Sequence, residues 1–205
     1  MNIIILGAPG SGKGTLARNL EKEYNIPHIS TGEIFRENIE HKTNLGLKAK
    51  ETIKKGEFVS DEITIEIVKS RLAQNDCKNG YILDGFPRNI IQAEALKTFA
   101  KIDRVIFLDV PQEVILKRIM GRRICSLCRQ VYNTDLYAKN KCECGAKLVQ
   151  REDDNLESVI NRIKIYETTT APLINFYKNI LLRIEGKDTP ERILNSVKFE
   201  LSKVK

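Results

Sequence analysis

The sequence of 205 residues contains no apolar run of about 18 residues, the length that a membrane-spanning helix needs. No cationic segment precedes its first apolar run, "NIIIL", which is too short for a signal peptide, so no secretory signal is expected. It also lacks internal repeats and low-complexity linkers. These absences predict a cytoplasmic protein that is built on one compact core and has no membrane partner.

Cysteines are few, and their spacing argues against a disulfide framework. Four of the five, Cys125, Cys128, Cys142 and Cys144, lie close together, whereas Cys77 stands apart and is expected to be an ordinary cysteine. In a reducing compartment such a cluster indicates a metal site. The first pair has the C-x2-C spacing of a zinc knuckle, and the second pair is C-x-C, one residue shorter. We predict one structural Zn²⁺ bound by all four thiolates, with four metal-free thiols as the alternative.

The net charge of +7 has two interpretations. A lysine-rich solvated surface accounts for much of it, and a polyanionic ligand is the more specific interpretation. That ligand would be either nucleic acid, with Tyr132 and Tyr137 beside the cysteines available to stack on bases, or the phosphates of nucleotides. Because several arginines fall inside the motifs described below, nucleotide phosphates are favoured.

Strand and helix patterns alternate along the chain. Apolar runs predict strands at 2–6, 27–30, 81–86, 104–110 and 180–185, and helical patterns occur at 12–24, 31–40, 44–55, 61–74, 89–99, 111–121, 157–169 and 190–202. Continuous apolar runs are typical of strands buried on both faces, so a parallel sheet with helices on both sides is expected. Segments 31–59 and 122–156 break the alternation and are predicted to be excursions from this α/β core.

The glycine-rich stretch "GAPGSGKGT" lies between the first strand and the first helix. Gly7, Gly12 and Lys13 meet the spacing G-x-x-x-x-G-K, in which backbone N–H groups and a helix N-terminus surround phosphate oxygens. Gly14 departs from the pattern, because the expected Ser or Thr comes one position later, at Thr15, and the sequence leaves open whether Thr15 contacts Mg²⁺ directly. A purely structural turn is the alternative. The motif indicates the class of ligand but not the reaction.

The stretch "YILDGFPRNIIQAEAL" narrows the choice among the reactions that proteins with a phosphate-binding loop carry out. Asp84 ends a predicted buried strand at the sheet edge where ligands bind, and it can hold Mg²⁺ through water. Arg88 presents a planar fork that suits a phosphate. Gln92 has an amide that can pair with a purine edge, although taken alone it would more often be a surface residue.

At these residues the sequence closely resembles the adenylate kinase family of nucleoside monophosphate kinases. The resemblance rests on "GAPGSGKGT", "HISTGEIFR", "KKGEFVSDEI", "LDGFPRNIIQAEAL", "RIMGRRIC" and "NRIKIYETTTAPLINFY". It implies an α/β P-loop three-layer sandwich with a parallel five-stranded sheet, a small helical monophosphate-binding excursion and a lid. The implied parts are a core at 1–29, 60–121 and 157–205, an AMP-binding excursion at 30–59, and a lid with a four-cysteine zinc knob at 122–156.

The resemblance also implies the reaction MgATP + AMP ⇌ 2 ADP in a closed site of a monomer, with ATP, AMP and ADP as partners and no nucleic acid. Implied ATP-binding residues are Gly10, Ser11, Gly12, Lys13, Gly14, Thr15, Arg118, Arg122 and Lys187. Implied AMP-binding residues are Thr31, Arg36, Glu57, Val59, Gly85, Arg88, Gln92, Arg151 and Arg162, with Thr31 and Gln92 selecting adenine. Implied catalytic residues are Lys13, Asp84, Arg88, Arg122, Arg151 and Arg162.

The spacing of Arg118 and Arg122, i and i+4, predicts that both lie on one helix face, and the resemblance implies that both reach the ATP phosphates. Each arginine taken singly could instead form a surface ion pair. Within the enzyme class, a kinase that prefers GTP as donor and one that accepts UMP or CMP are the alternatives.

Overall fold

The computed structural model of the protein describes residues 1–203. Its strands are β1 (Asn2–Leu6), β2 (His28–Ser30), β3 (Tyr81–Asp84), β4 (Arg104–Asp109), β5 (Arg122–Cys125), β6 (Val131–Asn133), β7 (Leu148–Val149) and β8 (Leu181–Glu185). Its helices are α1 (Lys13–Tyr24), α2 (Thr31–Glu40), α3 (Asn44–Lys54), α4 (Asp61–Leu72), α5 (Ile90–Phe99), α6 (Gln112–Met120), α7 (Leu156–Ile165), α8 (Leu173–Phe176) and α9 (Pro190–Ser202).

A five-stranded parallel sheet with the order β2-β3-β1-β4-β8 forms the centre of the molecule. Parallel neighbours need crossover connections, and the intervening helices provide them. The predicted α/β fold is confirmed, and each of the five predicted strands is present with its ends shifted by no more than two residues. β3 stops at Asp84 because Gly85 turns the chain with a φ of 78°.

Helices cover both faces of this sheet, which gives the predicted three layers. Side chains along a strand point alternately to opposite faces. Ile4 and Leu6 of β1 therefore pack with residues of α4, α5 and α8 on one face. Ile3 and Ile5 pack with residues of α1 and α9 on the other.

The excursion at 122–156 contains strands that the sequence did not predict. β5 pairs with β6 and with β7 in an antiparallel sheet with the order β6-β5-β7. These strands have four, three and two residues, which is too short for an alternating pattern to stand out. The other excursion carries α2 and α3, the two short helices that were predicted there.

Helix ends follow local sequence signals with one exception. The bounds of α9 match the prediction, because Thr189 caps the N–H of Arg192 and Pro190 occupies the first turn. The helix predicted at 157–169 instead ends as α7 at Ile165 and continues as a π-helical turn over Tyr166–Thr170. Within residues 1–203, no helix has both the length and the apolar character that crossing a membrane requires.

Candidate active site and metal cluster

The glycine-rich loop joins β1 to α1 and opens into a large cavity. Gly12 precedes the first turn of α1 with a φ of 102°, and Gly10, with a φ of 82°, packs so closely that a Cβ atom would lie 2.5 Å from Ile119. Both positions therefore require glycine. The hydroxyl oxygen of Ser11 is buried and has no hydrogen-bond partner within residues 1–203. An unsatisfied buried hydroxyl in this loop fits a site that receives a ligand.

Lys13 begins α1 and folds back over the loop. Its Nζ atom donates hydrogen bonds to the carbonyl oxygens of Gly7, at 2.7 Å, and Ala8, at 2.9 Å. Burial lowers the pKa of Lys13 to about 8, and the positive charge of Arg88 acts in the same direction while Asp84 opposes it. A bound phosphate would favour the charged ammonium, so this lysine is suited to an anionic ligand.

Asp84 ends β3 beside the loop, at the carboxyl edge of the sheet. Its Oδ2 atom lies 3.4 Å from Nε2 of His28, a residue of the neighbouring strand β2. Burial acts to raise the pKa of Asp84, but His28 and the charge of Lys13 together outweigh burial and hold that pKa below its ordinary value. The carboxylate is therefore ionised near neutral pH, as a ligand for a hydrated divalent cation must be.

Partly buried arginines line the cavity as well. Burial lowers the pKa of Arg88 to about 10 and that of Arg151 to about 9, and in each case neighbouring arginines contribute further. Burial lowers the pKa of Arg36 and Arg162 as well. The Arg88 guanidinium stacks 4.7 Å from the centre of the Phe58 ring, and its Nε atom donates to the Gly85 carbonyl. Positive groups crowded in this way suit a polyanion such as a chain of phosphates.

Two aspartates that were not predicted hold this arginine group together. Asp154 has no exposed surface and accepts hydrogen bonds from Arg122 and Arg162. Asp153 accepts a hydrogen bond of 3.2 Å from Arg162. The signal in the sequence was the run "REDD", whose acidic residues follow Arg151 directly. Charges removed from water need partners, and these carboxylates provide them for Arg122 and Arg162.

The prediction that Arg118 and Arg122 share a helix face is wrong. α6 ends at Met120, and Arg122 is the first residue of β5. The chain turns there because Gly121 packs against Asn133, which pairs with Arg122 across β5 and β6. Both arginines nevertheless line the cavity.

Arg118 contacts the loop directly. Its guanidinium donates hydrogen bonds to the carbonyl oxygens of Ser11, at 3.1 Å, and Gly186, at 2.7 Å. Lys187, the next residue, pairs with Glu185 at 2.6 Å. Arg118 thus ties the glycine-rich loop to the segment that contains Lys187.

Thr31 and Gln92, the predicted adenine-selecting pair, both lie at the cavity wall. Thr31 donates a hydrogen bond of 2.8 Å to the Gly85 carbonyl. Gln92 is buried, so it is not the surface residue that its type alone would suggest. Its Nε2 atom donates to Asp61 at 2.7 Å, and its Oε1 atom accepts from the Arg88 N–H at 2.7 Å. These bonds hold the amide in one orientation.

The structure brings the predicted nucleotide-site residues into one cavity of about 1000 Å³. Its walls include Gly10, Ser11, Gly12, Lys13, Gly14, Thr15, Thr31, Arg36, Glu57, Val59, Asp84, Gly85, Arg88, Gln92, Arg118, Arg122, Arg151, Arg162 and Lys187. The segments that supply them are far apart in sequence and come from the core and from both excursions. A volume of this size accommodates a drug-sized ligand or more.

The four clustered cysteines converge at the end of the 122–156 excursion. The four sulfur atoms of Cys125, Cys128, Cys142 and Cys144 all lie within 4.8 Å of one another. The N–H groups of Leu127 and Cys128 point at the Cys125 sulfur, as in a knuckle that stabilises a thiolate. The short C-x-C pair therefore does not prevent convergence. Four thiols in this arrangement can hold a metal ion.

Aromatic side chains support this cluster. The Tyr132 hydroxyl lies 3.2 Å from the Cys142 sulfur, and the Tyr132 ring packs on Tyr137 with 4.4 Å between ring centres. Each ring therefore uses part of its surface in the packing of this excursion, which leaves less of it to stack on a base and weakens the nucleic-acid alternative. Cys77 lies apart, in the core beneath the sheet.

We expect Asp154→Asn to destabilise the protein by about 3–5 kcal/mol, the usual cost of leaving a buried ion pair without one partner. The measurement is chemical unfolding of the nucleotide-free protein. Bound nucleotide should offset part of the loss, because its phosphates supply the missing negative charge. Asp188→Asn is the control, since that carboxylate is half-exposed and pairs with Arg192 on the surface. Equal stability of the two variants would contradict a role for Asp154 in holding the arginines.

The sequence is similar along most of its length to known proteins of one family. The family described as "Adenylate kinase" matches residues 5–181. An adenylate kinase of Clostridium tetani is 49% identical over 208 residues, which cover 96% of each chain. An adenylate kinase of Caldicellulosiruptor saccharolyticus is 50% identical, with 98% of this chain and 100% of the relative covered. An adenylate kinase of Thermoanaerobacter pseudethanolicus is 46% identical over 98% of each chain.

Proposed function

Since this chain belongs to the adenylate kinase family and catalyses ATP + AMP ⇌ 2 ADP, we propose how its residues divide that work. The observation that carries the proposal is the single cavity that is lined by a glycine-rich loop, the carboxylate of Asp84 and a group of partly buried arginines. Two nucleotides held there at once would have their phosphates among Lys13 and these arginines.

Three parts of the chain form the proposed site. Residues 1–29, 60–121 and 157–205 are the core, residues 30–59 are the AMP-binding excursion, and residues 122–156 are the lid. The positions of α2 and α3 in one excursion and of β5, β6 and β7 in the other support this division. Closure of both excursions over the cavity would exclude water, which would otherwise accept the phosphoryl group in place of AMP.

Charge stabilisation carries the proposed mechanism. ATP and AMP together bring about six negative charges, because each terminal phosphate approaches −2 near neutral pH. Seven of the cationic residues that line the cavity are assigned to these phosphates: Lys13, Arg36, Arg88, Arg118, Arg122, Arg151 and Arg162. Phosphoryl transfer depends on in-line positioning and on stabilising charge in the transition state, so we assign no general base.

In this proposal Lys13 and the loop N–H groups bind the ATP phosphates together with Arg118 and Arg122. Arg36 and Arg88 bind the AMP phosphate, and Arg151 and Arg162 close over the phosphoryl group. Asp84 would hold Mg²⁺ through water, and its ionised state beside the loop fits that task. When bound, Mg²⁺ neutralises charge on the ATP phosphates.

We further propose that Thr31 and Gln92 select adenine in AMP, with Gly85, Glu57 and Val59 completing that pocket. The fixed orientation of the Gln92 amide supports this role. The adenine of ATP would lie between Arg118 and the backbone near Lys187, which the Arg118 hydrogen bonds place next to the loop.

The four cysteines would hold a structural Zn²⁺ in the lid, because tetrahedral thiolate sites favour zinc and a closed set of four leaves no position for catalytic water. A reducing compartment keeps such thiols available, so we propose a cytoplasmic location. We propose that the protein acts as a monomer, since one chain supplies the whole cavity wall. Its partners would be nucleotides, not nucleic acid or membranes.

A panel assay tests the proposed specificity. Purified protein is given ATP or GTP as donor and AMP, UMP, CMP or GMP as acceptor, and nucleoside diphosphate is measured. We expect ATP with AMP to give the highest kcat/KM, since Gln92 presents an amide suited to adenine. A higher value with UMP or CMP would contradict the roles of Thr31 and Gln92. Salt-dependent RNA binding in place of saturable AMP binding would favour the nucleic-acid alternative.

A further inference from the structure

The knuckle that carries Cys125 and Cys128 touches both other parts of the protein. Arg129 directly follows Cys128, and its guanidinium forms an ion pair with Glu40, the last residue of α2. Its backbone carbonyl accepts a hydrogen bond of 3.2 Å from Arg18 of α1. Arg18 precedes Arg129 by 111 positions in the sequence and Glu40 precedes it by 89, and all three residues meet at this one turn.

Arg18 extends the contact to a second position on the excursion at 30–59. While one of its terminal nitrogens donates to the Arg129 carbonyl, the other donates to Glu33 at 3.1 Å. Glu33 lies in the first turn of α2 and Glu40 in the last. The core helix α1, the knuckle and both ends of α2 are therefore connected by two arginines.

Two of these residues are unfavourable choices when judged locally. Arg129 has a φ of 59°, a left-handed conformation that glycine adopts without steric cost and arginine does not. Glu40 places a negative charge at the C-terminal end of a helix, where the helix dipole is also negative, and the last turn of α2 has no basic residue. The ion pair offsets the second of these costs, because the arginine of the knuckle supplies the positive charge that the helix end lacks.

We infer that Arg129 and Glu40, together with Arg18, form a latch that holds the lid against the AMP-binding excursion and the core. The inference rests on the proposed assignment of these segments as lid and AMP-binding excursion. Arg129 and Glu40 do not line the cavity, whereas Arg18 and Glu33 do, so we assign the ion pair of Arg129 and Glu40 to the balance between open and closed forms and not to the phosphates. They are positioning residues for the reaction.

The latch has a definite consequence for binding and turnover. A contact that is made only in the closed form strengthens the binding of every ligand that requires this form. The affinity rises by the same factor by which the contact favours closure. Product release requires opening, and lid opening limits turnover in many enzymes of this kind. Loss of the latch should therefore raise KM for both nucleotides without lowering kcat.

The test measures binding of a bisubstrate mimic, two adenosines joined by five phosphates, by calorimetry at 50 mM salt. The variants are Arg129→Gly and Arg129→Asn, which both tolerate the left-handed backbone, Glu40→Gln, and the double variant Arg129→Gly with Glu40→Gln. We expect each single variant to bind about two- to fivefold more weakly, the range for an exposed ion pair, and the double variant to bind no more weakly than either single one. The differences should disappear at 1 M salt.

Glu94→Gln is the matched control, because Glu94 is an exposed glutamate that pairs with Lys97 on the core and touches neither excursion. The mimic should bind this variant as it binds the natural protein. Unchanged binding in the Arg129 and Glu40 variants, or additive losses in the double variant, would overturn the latch. A lowered melting temperature in both Arg129 variants would also overturn it, by showing that Arg129 serves the knuckle itself. If the mimic fails to bind even the natural protein, the proposed function fails and not the latch alone.

Discussion

Replacing Lys13 by alanine is expected to lower kcat by roughly 10²-fold or more, the scale on which removal of one transition-state stabiliser acts. The ammonium lies over the glycine-rich loop at hydrogen-bonding distance from Gly7 and Ala8, and Asp84 and Arg88 are its charged neighbours. Burial disfavours the charged form of Lys13 in the nucleotide-free protein, and a bound phosphate would favour it. Steady-state kinetics with ATP and AMP measure the effect.

Arg88→Ala should act in the same way, because its guanidinium also lines the cavity, where Gly85 and Phe58 hold it. The matched control is Lys22→Ala, which removes an exposed lysine from the last turn of the helix that begins with Lys13. Circular dichroism should find all three variants folded. A kcat near that of the natural protein in the Lys13 or Arg88 variant would remove that residue from the proposed site.

Removal of metal from the cysteine cluster is expected to lower the melting temperature by an amount of order 10 °C. Structural zinc contributes apparent binding free energies of about 10–16 kcal/mol in small zinc domains. In a chain of this size, each 1 kcal/mol of stability corresponds to about 2–4 °C in melting temperature, so losing even part of that energy lowers the melting temperature strongly. The sheet of β5, β6 and β7 has too few residues to hold itself without the cluster. Chemistry should persist at low temperature, because no residue of the cluster lines the cavity.

Elemental analysis of the purified protein should give close to one zinc per chain, and calorimetry before and after chelation should measure the shift. Cys142→Ser should lose zinc and reproduce the effect of chelation. Cys77→Ser is the control, since Cys77 is buried in the core away from the cluster and its loss should leave the zinc content unchanged. Full zinc content and unchanged melting in Cys142→Ser would exclude that residue as a ligand.

Local pattern was sufficient for the main elements of the fold and for the kind of site. Buried parallel strands are short apolar runs and surface helices have capping residues, so β1, β4 and α9 could be assigned without tertiary contacts. The glycine-rich loop was recognisable because its spacing requires a strand before it and a helix after it. The family resemblance then supplied the grouping of distant residues that no local pattern contains.

By itself, then, the sequence determined the alternation of strands and helices, the phosphate-binding loop and the presence of four clustered cysteines, because each of these depends on neighbours in the chain. Only the tertiary structure decided that Arg122 begins a strand, since that depends on its pairing with Asn133 in the sheet of β5, β6 and β7. It also decided that Asp154 pairs with Arg122 and Arg162, and that a C-x-C pair brings its sulfurs to a C-x2-C knuckle. Such contacts depend on where the backbone places residues far apart in sequence, and spacing along the chain does not contain that information.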